Sequence, residues 1–224
     1  YRQWGPDCVH RFNGMWAFLI YDTHEGVVFG SRDRFGIKPL YRYRTRDYVL
    51  FASEIKAILT SGYYVGEKNW QVAAKFLVDQ RLGDDTETFY QGVSSVAPGS
   101  AFELGVDGRY KEWVYWSLAD APAVEIDDPA TTFFELFEDA VRLRLRSDVP
   151  VGVSLSGGLD STSIMCSMAR MWASENPLWA FAYMSPEFDE SRFIEDTLIQ
   201  TQARFVSVNV DAEALLSQME KFHW

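Results

Sequence analysis

The sequence predicts two architectures in series: an α+β half dominated by antiparallel strands, then an α/β half built on a parallel sheet. Three observations carry this. Short apolar runs punctuated by turn residues fill residues 1–118. From residue 130 onward, strand-like and helix-like segments alternate, as β-α-β crossovers require. Between a β-branched run and a helical one lies Ser156-Gly157-Gly158-Leu159-Asp160-Ser161, at the carboxyl end of a predicted strand. Ligands enter open α/β sheets at that end.

In the first half, residues 15–21 are densely apolar, 22–26 form a turn signal and 27–30 complete a hairpin. Residues 40–43 and 48–52 make a second pair around Thr45-Arg46-Asp47. Residues 53–59 read as a short helix capped by Ser53, with Lys56 where a capping box carries an acid. Trp70–Asp79 has apolar residues at 70, 73, 74 and 77, one face of a helix. Residues 93–104 hold a Pro98-Gly99 turn between short strands, and 114–118 close the β-rich region.

Residues 119–129 form a linker with Pro122, small residues and acids, so the predicted domains are 1–118 and 130–224. Asp128-Pro129 is an N-cap with proline at the first helical position, and the helix is expected to reach Ser147. Its apolar face is Phe133, Phe137, Ala140, Val141 and Leu145, with acids early and arginines late to match the helix dipole. Then come a strand at 149–155, the loop, and a helix at 162–172. A second strand follows at 178–183, a second helix at 190–203 and a third strand at 205–210. The alternation predicts a parallel, doubly wound sheet.

The loop is written as a phosphate holder. Glycines let the backbone approach an anion, and a following helix supplies unpaired amides and its positive dipole end. Ser156 and Ser161 add hydroxyl donors, and no lysine follows the glycines, which excludes the Walker type. Asp160 would repel a polyphosphate unless a divalent cation, Mg²⁺, bridged the two. Other classes are disfavoured. A formal charge of −11 and a pI near 4.7 leave no basic footprint for nucleic acid. No apolar run approaches the roughly 18–20 residues that span a bilayer. Cys8 and Cys166 are too few for a disulfide scaffold, which points to a reducing, cytoplasmic setting.

The loop resembles the PP-loop of the ATP pyrophosphatases, which split ATP into AMP and pyrophosphate while adenylating a substrate. A second match precedes it. Residues 11–18 (Arg-Phe-Asn-Gly-Met-Trp-Ala-Phe), 31–41 (Ser-Arg-Asp-Arg-Phe-Gly-Ile-Lys-Pro-Leu-Tyr) and 51–57 (Phe-Ala-Ser-Glu-Ile-Lys-Ala) are similar to the later part of a class II glutamine amidotransferase domain. Joined to residues 146–152 and the loop, with Phe188-Asp189-Glu190-Ser191 after the second strand, they resemble the glutamine-hydrolysing asparagine synthetase family over essentially the whole chain. GMP synthetase pairs its loop with a different amidotransferase class, and argininosuccinate synthetase has none.

The resemblance implies ATP-dependent amidation of L-aspartate to L-asparagine through β-aspartyl-AMP, with glutamine as nitrogen donor and release of AMP and pyrophosphate. It implies ATP and Mg²⁺ as cofactors, aspartate and glutamine as further small-molecule partners, neither nucleic acid nor membrane, and room for a homodimer. Ser156, Gly157, Gly158, Leu159, Asp160 and Ser161 would cradle the pyrophosphate portion of ATP, with Asp160 holding Mg²⁺. Ser154 and Leu155 would sit by the nucleotide at the strand end, and Tyr183 on the adenosine side. Two alternatives remain open: a β-lactam synthetase-like ATP-dependent cyclase, and a non-catalytic nucleotide-binding remnant.

The family's glutaminase nucleophile is a cysteine at the mature N-terminus, whose free α-amino group serves as base. Position 1 here is tyrosine, and the sequence stops at Phe222-His223-Trp224. The expectation is an internal piece of a longer protein, inactive alone, with that nucleophile upstream and no catalytic residue in this chain. The family's later Ser-Gly-Glu-Gly-x-Asp-Glu segment would lie downstream. Several residues take plainer readings. Cys8 is a small buried hydrophobe, and His10 is a surface or capping histidine rather than a zinc ligand. Arg142, Arg144 and Arg146 form a solvated helix face, and Arg32-Asp33-Arg34 is architectural.

Overall fold

The computed structural model of the chain describes residues 1–80, 86–173, 177–184, 190–208, 212–219 and 221. They divide into two compact units, Tyr1–Ala123 and Val124–Trp224. Among the described residues, no helix is long and apolar enough to cross a membrane.

In the first unit, strands β1 (Ala17–Asp22) and β2 (Val27–Arg32) form the expected antiparallel hairpin, Ala17 opposite Arg32 and Asp22 opposite Val27. Asp22 Oδ1 closes the turn by accepting the amides of His24 at 3.0 Å and Glu25 at 3.1 Å. Strands β3 (Tyr41–Arg44) and β4 (Val49–Ala52) make the second pair. Helix α1 (Ile55–Leu59) follows, but the cap predicted at Ser53 does not form. Glu54 takes the N-cap position in extended conformation, without a side-chain bond.

Helix α2 (Trp70–Asp79) begins where Asn69 Oδ1 accepts the Val72 amide at 3.3 Å. Its predicted stripe is not the packed one, for Trp70 and Leu77 are exposed while Phe76 sits edge-on to Phe89 at 5.6 Å. Strand β5 (Val93–Ser95) pairs with β3, whereas β6 (Ser100–Gly105) pairs with β2 and with β7 (Tyr110–Val114). The closing strand is therefore 110–114, upstream of the predicted 114–118. The Pro98-Gly99 turn carries the chain from one sheet to the other, with Gly99 at φ +63.

The four-stranded sheet, ordered β1-β2-β6-β7, is covered on both faces. Phe29 and Ala101 pack with Cys8 and Val9 of the 3₁₀ turn Gly5–Arg11. On the opposite face Phe102 packs with Leu40 and Val96, and Phe51 from the β4-β3-β5 sheet stacks on its ring at 4.9 Å. Gly30 makes room for that ring, since a Cβ there would lie 2.2 Å from Phe102 Cζ.

In the second unit, helix α3 (Pro129–Arg144) starts from the expected Asp128 cap, whose Oδ1 accepts the Thr131 amide at 3.2 Å. It ends at Arg144, short of the predicted 147, and Phe133 of its predicted apolar face is exposed. Strand β8 (Gly152–Ser154), helix α4 (Leu159–Met171), strand β9 (Trp179–Tyr183), helix α5 (Ser191–Thr201), strand β10 (Arg204–Val208) and helix α6 (Ala212–Ser217) follow. The sheet is parallel, ordered β10-β9-β8, with Trp179 flanked by Gly152 and Arg204.

Two expectations need correction. Helix α4 starts at Leu159 rather than Thr162, so half of the Ser-Gly-Gly-Leu-Asp-Ser segment is helical. The strands also progress in one direction, and α4 and α5 pack against each other. Right-handed crossovers between neighbouring parallel strands place both helices on one face. Among the described residues the sheet is thus wound once, with no reversal of strand order. Leu155, Met165 and Ala180 centre the core, at 1%, 0% and 0% exposure. The expected Phe188–Ser191 feature begins in 185–189, and the third strand's expected end at 209–210 and His223 also lie outside the described residues.

Candidate functional site

The site is assembled where β8 runs out. The Leu155 amide still donates to Phe181 O at 2.7 Å, holding the strand end against β9. The chain then turns through Gly157, at φ +78, and reaches Gly158, which occupies the N-cap of α4 without a side-chain cap. The loop therefore sits at the carboxyl end of a parallel strand and at the amino end of a thirteen-residue helix. Both features favour an anion: amides without intrahelical partners and a positive dipole end.

Its glycine is constrained twice. Besides the positive φ, a Cβ on Gly157 would meet Glu190 Cβ at 3.1 Å, Glu190 O at 3.2 Å and Phe193 Cβ at 3.3 Å. The turn is pressed against the start of α5, a contact sequence reasoning missed. Partners 33 and 36 residues further along the chain leave no local signal.

The two serines bond to each other. Ser156 Oγ and Ser161 Oγ lie 3.0 Å apart, and the Ser156 amide donates to Ser161 Oγ at 3.2 Å. Ser161 Oγ donates to Gly158 O at 3.2 Å, while the Gly158 amide reaches Ser156 Oγ at 3.4 Å. Asp160 lies in the first turn of α4, exposed to solvent.

The remaining predicted residues fall unevenly around this loop. Ser154 lines a groove of about 590 Å³ together with Asp160 and Ser161, floored by Val153 and Met168 and walled by Val141 of α3. Leu155 turns its side chain into the core, so only its backbone faces the strand end. Tyr183 ends β9 and is 62% exposed. A second groove, about 400 Å³, opens beside Gly157 and Leu159 between α4 and α5.

Among the described residues no cluster of three or more His, Cys, Asp or Glu side chains forms a metal site. Among the described residues Asp160 offers a single carboxylate at the start of α4, a donor set that would fit a hard cation also bound by phosphate oxygens and water rather than a protein-only cage. His10 packs edge-on to Tyr115 at 5.8 Å, and Cys8 is fully buried, in keeping with their plain readings. Arg142 pairs with Asp139 on the exposed face of α3, as expected of a solvated stripe.

The Arg32-Asp33-Arg34 knot is an anchor. Asp33 is 1% exposed, and its carboxylate accepts the amides of Trp16, Phe35, Ile37 and Lys38 at 2.9–3.2 Å. Burial opposes its ionisation, but the four amides outweigh that and hold the carboxyl below the usual aspartate range. Arg32 donates to Gly36 O, Lys38 O, Ser95 Oγ and Val96 O, tying the 33–38 loop to the end of β5.

An antiparallel two-sheet unit followed by a parallel-sheet unit, in which a positive-φ glycine turn joins a strand to a helix, is compatible with an amidotransferase domain followed by an α/β domain. Residues 1–116 match the glutamine amidotransferase domain family, and residues 132–224 match the asparagine synthase family. The chain belongs to the asparagine synthetase family. Among its relatives is the glutamine-hydrolysing asparagine synthetase 1 of Bacillus subtilis, 29% identical over 100% of this chain and 35% of its own. A Methanocaldococcus jannaschii protein provisionally named a glutamine-hydrolysing asparagine synthetase is 35% identical over 87% of this chain and 38% of its own. A Gibberella zeae protein named as the amidase chry2 is 31% identical over 100% of this chain and 36% of its own. The chain thus spans little more than a third of the length of these relatives.

Proposed function

We propose that this chain is part of a glutamine-dependent asparagine synthetase. The whole protein converts L-aspartate to L-asparagine with ATP, through β-aspartyl-AMP, and releases AMP and pyrophosphate. In this reading residues 1–118 are the later part of a class II amidotransferase domain, and residues 130–224 open an ATP pyrophosphatase domain. The nitrogen comes from glutamine hydrolysed by the amidotransferase part.

The observation that carries the reading is the turn itself: a positive-φ Gly157 between the end of a parallel strand and the uncapped start of α4. Ser156, Gly157 and Gly158 hold the pyrophosphate portion of ATP with the first amides of α4, from Leu159 to Ser161. Asp160 holds Mg²⁺, which neutralises phosphate charge when bound. Ser154 and the Leu155 backbone border the nucleotide, and Tyr183 lies on the adenosine side. Such a site accelerates adenylation by positioning and charge compensation rather than by a protein nucleophile. The free thiols of Cys8 and Cys166 support a reducing, cytoplasmic setting.

Titration calorimetry with Mg·ATP tests this. Binding by the chain, weakened at least about tenfold in Asp160→Ala, is expected from loss of a charge-bridging ligand. Equal affinity in both proteins removes Asp160 as the charge-bridging ligand, and binding by neither removes the nucleotide reading and with it the non-catalytic alternative.

A second reading of the acceptor has specific support, because two relatives matching the entire chain are named amidases, from Gibberella zeae and Penicillium rubens. A carboxylate other than aspartate, including the precursor of an ATP-dependent ring closure, fits the same loop. Aspartate-dependent exchange of pyrophosphate into ATP by the full-length protein separates the two.

A further inference from the structure

We draw no further inference here: the strongest candidate, the exposed apolar face of the parallel sheet formed by Phe181 and Tyr183 of β9 with Val208 of β10, carries none because nothing in the structure shows what covers it.

Discussion

Gly157 and Gly158 are adjacent, identical in sequence terms and opposite in what they demand. Gly157 sits at φ +78, where an L side chain costs about 1–2 kcal/mol, and its Cβ would press on Glu190 and Phe193. Gly158 has φ −71, and the nearest heavy atom its Cβ would meet is the movable Ser156 Oγ at 3.3 Å. Gly157→Ala should therefore lose about 2 kcal/mol in urea denaturation, while Gly158→Ala should stay within about 0.5 kcal/mol. Equal losses would mean that the backbone conformation and the α5 contact do not matter. Asp33 makes the corresponding demand in the first unit. A carboxyl whose folded pKa is depressed contributes stability that is present above its unfolded value and lost as pH falls through the folded one. The first unit should therefore lose stability as pH drops below the ordinary aspartate value of 3.8. Asp33→Asn should flatten this acid limb, at a lower overall stability because an amide nitrogen would face backbone N–H donors. Denaturation midpoints between pH 5 and pH 2 check both, and a parallel acid limb in the variant would discard the anchor.

At the scale of elements, helix starts separate a cap that forms from one that only looks right. Asn69→Ala should cost about 1 kcal/mol, because its side chain holds the Val72 amide. Ser53→Ala should cost less than about 0.5 kcal/mol, because α1 begins after Glu54 and gains no cap bond from Ser53. Denaturant unfolding of both variants settles the comparison, and a larger loss in Ser53→Ala would contradict the helix start. The contrast also explains what could be read from sequence. Caps, turns and strand-loop-helix order are local, so Asp22, Asp128 and the position of the Ser156–Ser161 loop were legible. Sheet membership is not local. Val93–Ser95 and Ser100–Gly105 are joined by one short turn yet lie in different sheets, because the partners that decide it, β3 and β2, are distant in the chain. The face of α2 was misjudged for the same reason: Phe89, which fixes Phe76 inward, gives no periodic signal within the helix. The early start of α4 was hidden by Leu159 and Asp160, which read as loop residues. The first turn of a helix needs no preceding partners for its amides, so helix and loop look alike there.

For the whole molecule, the decisive segment lies between the two units. Every residue from 118 to 130 is exposed, and that stretch contains Pro122, several alanines and a single glutamate, Glu125. Neither unit relies on it for its core, since the buried clusters are built from residues at or before 102 on one side and at or after 141 on the other. Proteases cut where backbone is exposed and unsupported by packing, rather than where a residue type merely occurs. A glutamate-specific protease under native conditions should therefore nick the chain first after Glu125, giving pieces of residues 1–125 and 126–224 that persist. The loop bonds between Ser156, Gly158 and Ser161, and the packing of Gly157 against Glu190 and Phe193, all lie in the second piece. If that piece carries the anion site by itself, the nicked protein should bind Mg·ATP with an affinity within about twofold of the intact chain, a free-energy change well under RT ln 10. Early cleavage scattered through both units would mean that their cores do not stand independently. A clean nick at Glu125 that abolished binding would mean instead that the site draws on residues before the linker, and that the self-contained geometry at the end of β8 is insufficient to hold the nucleotide.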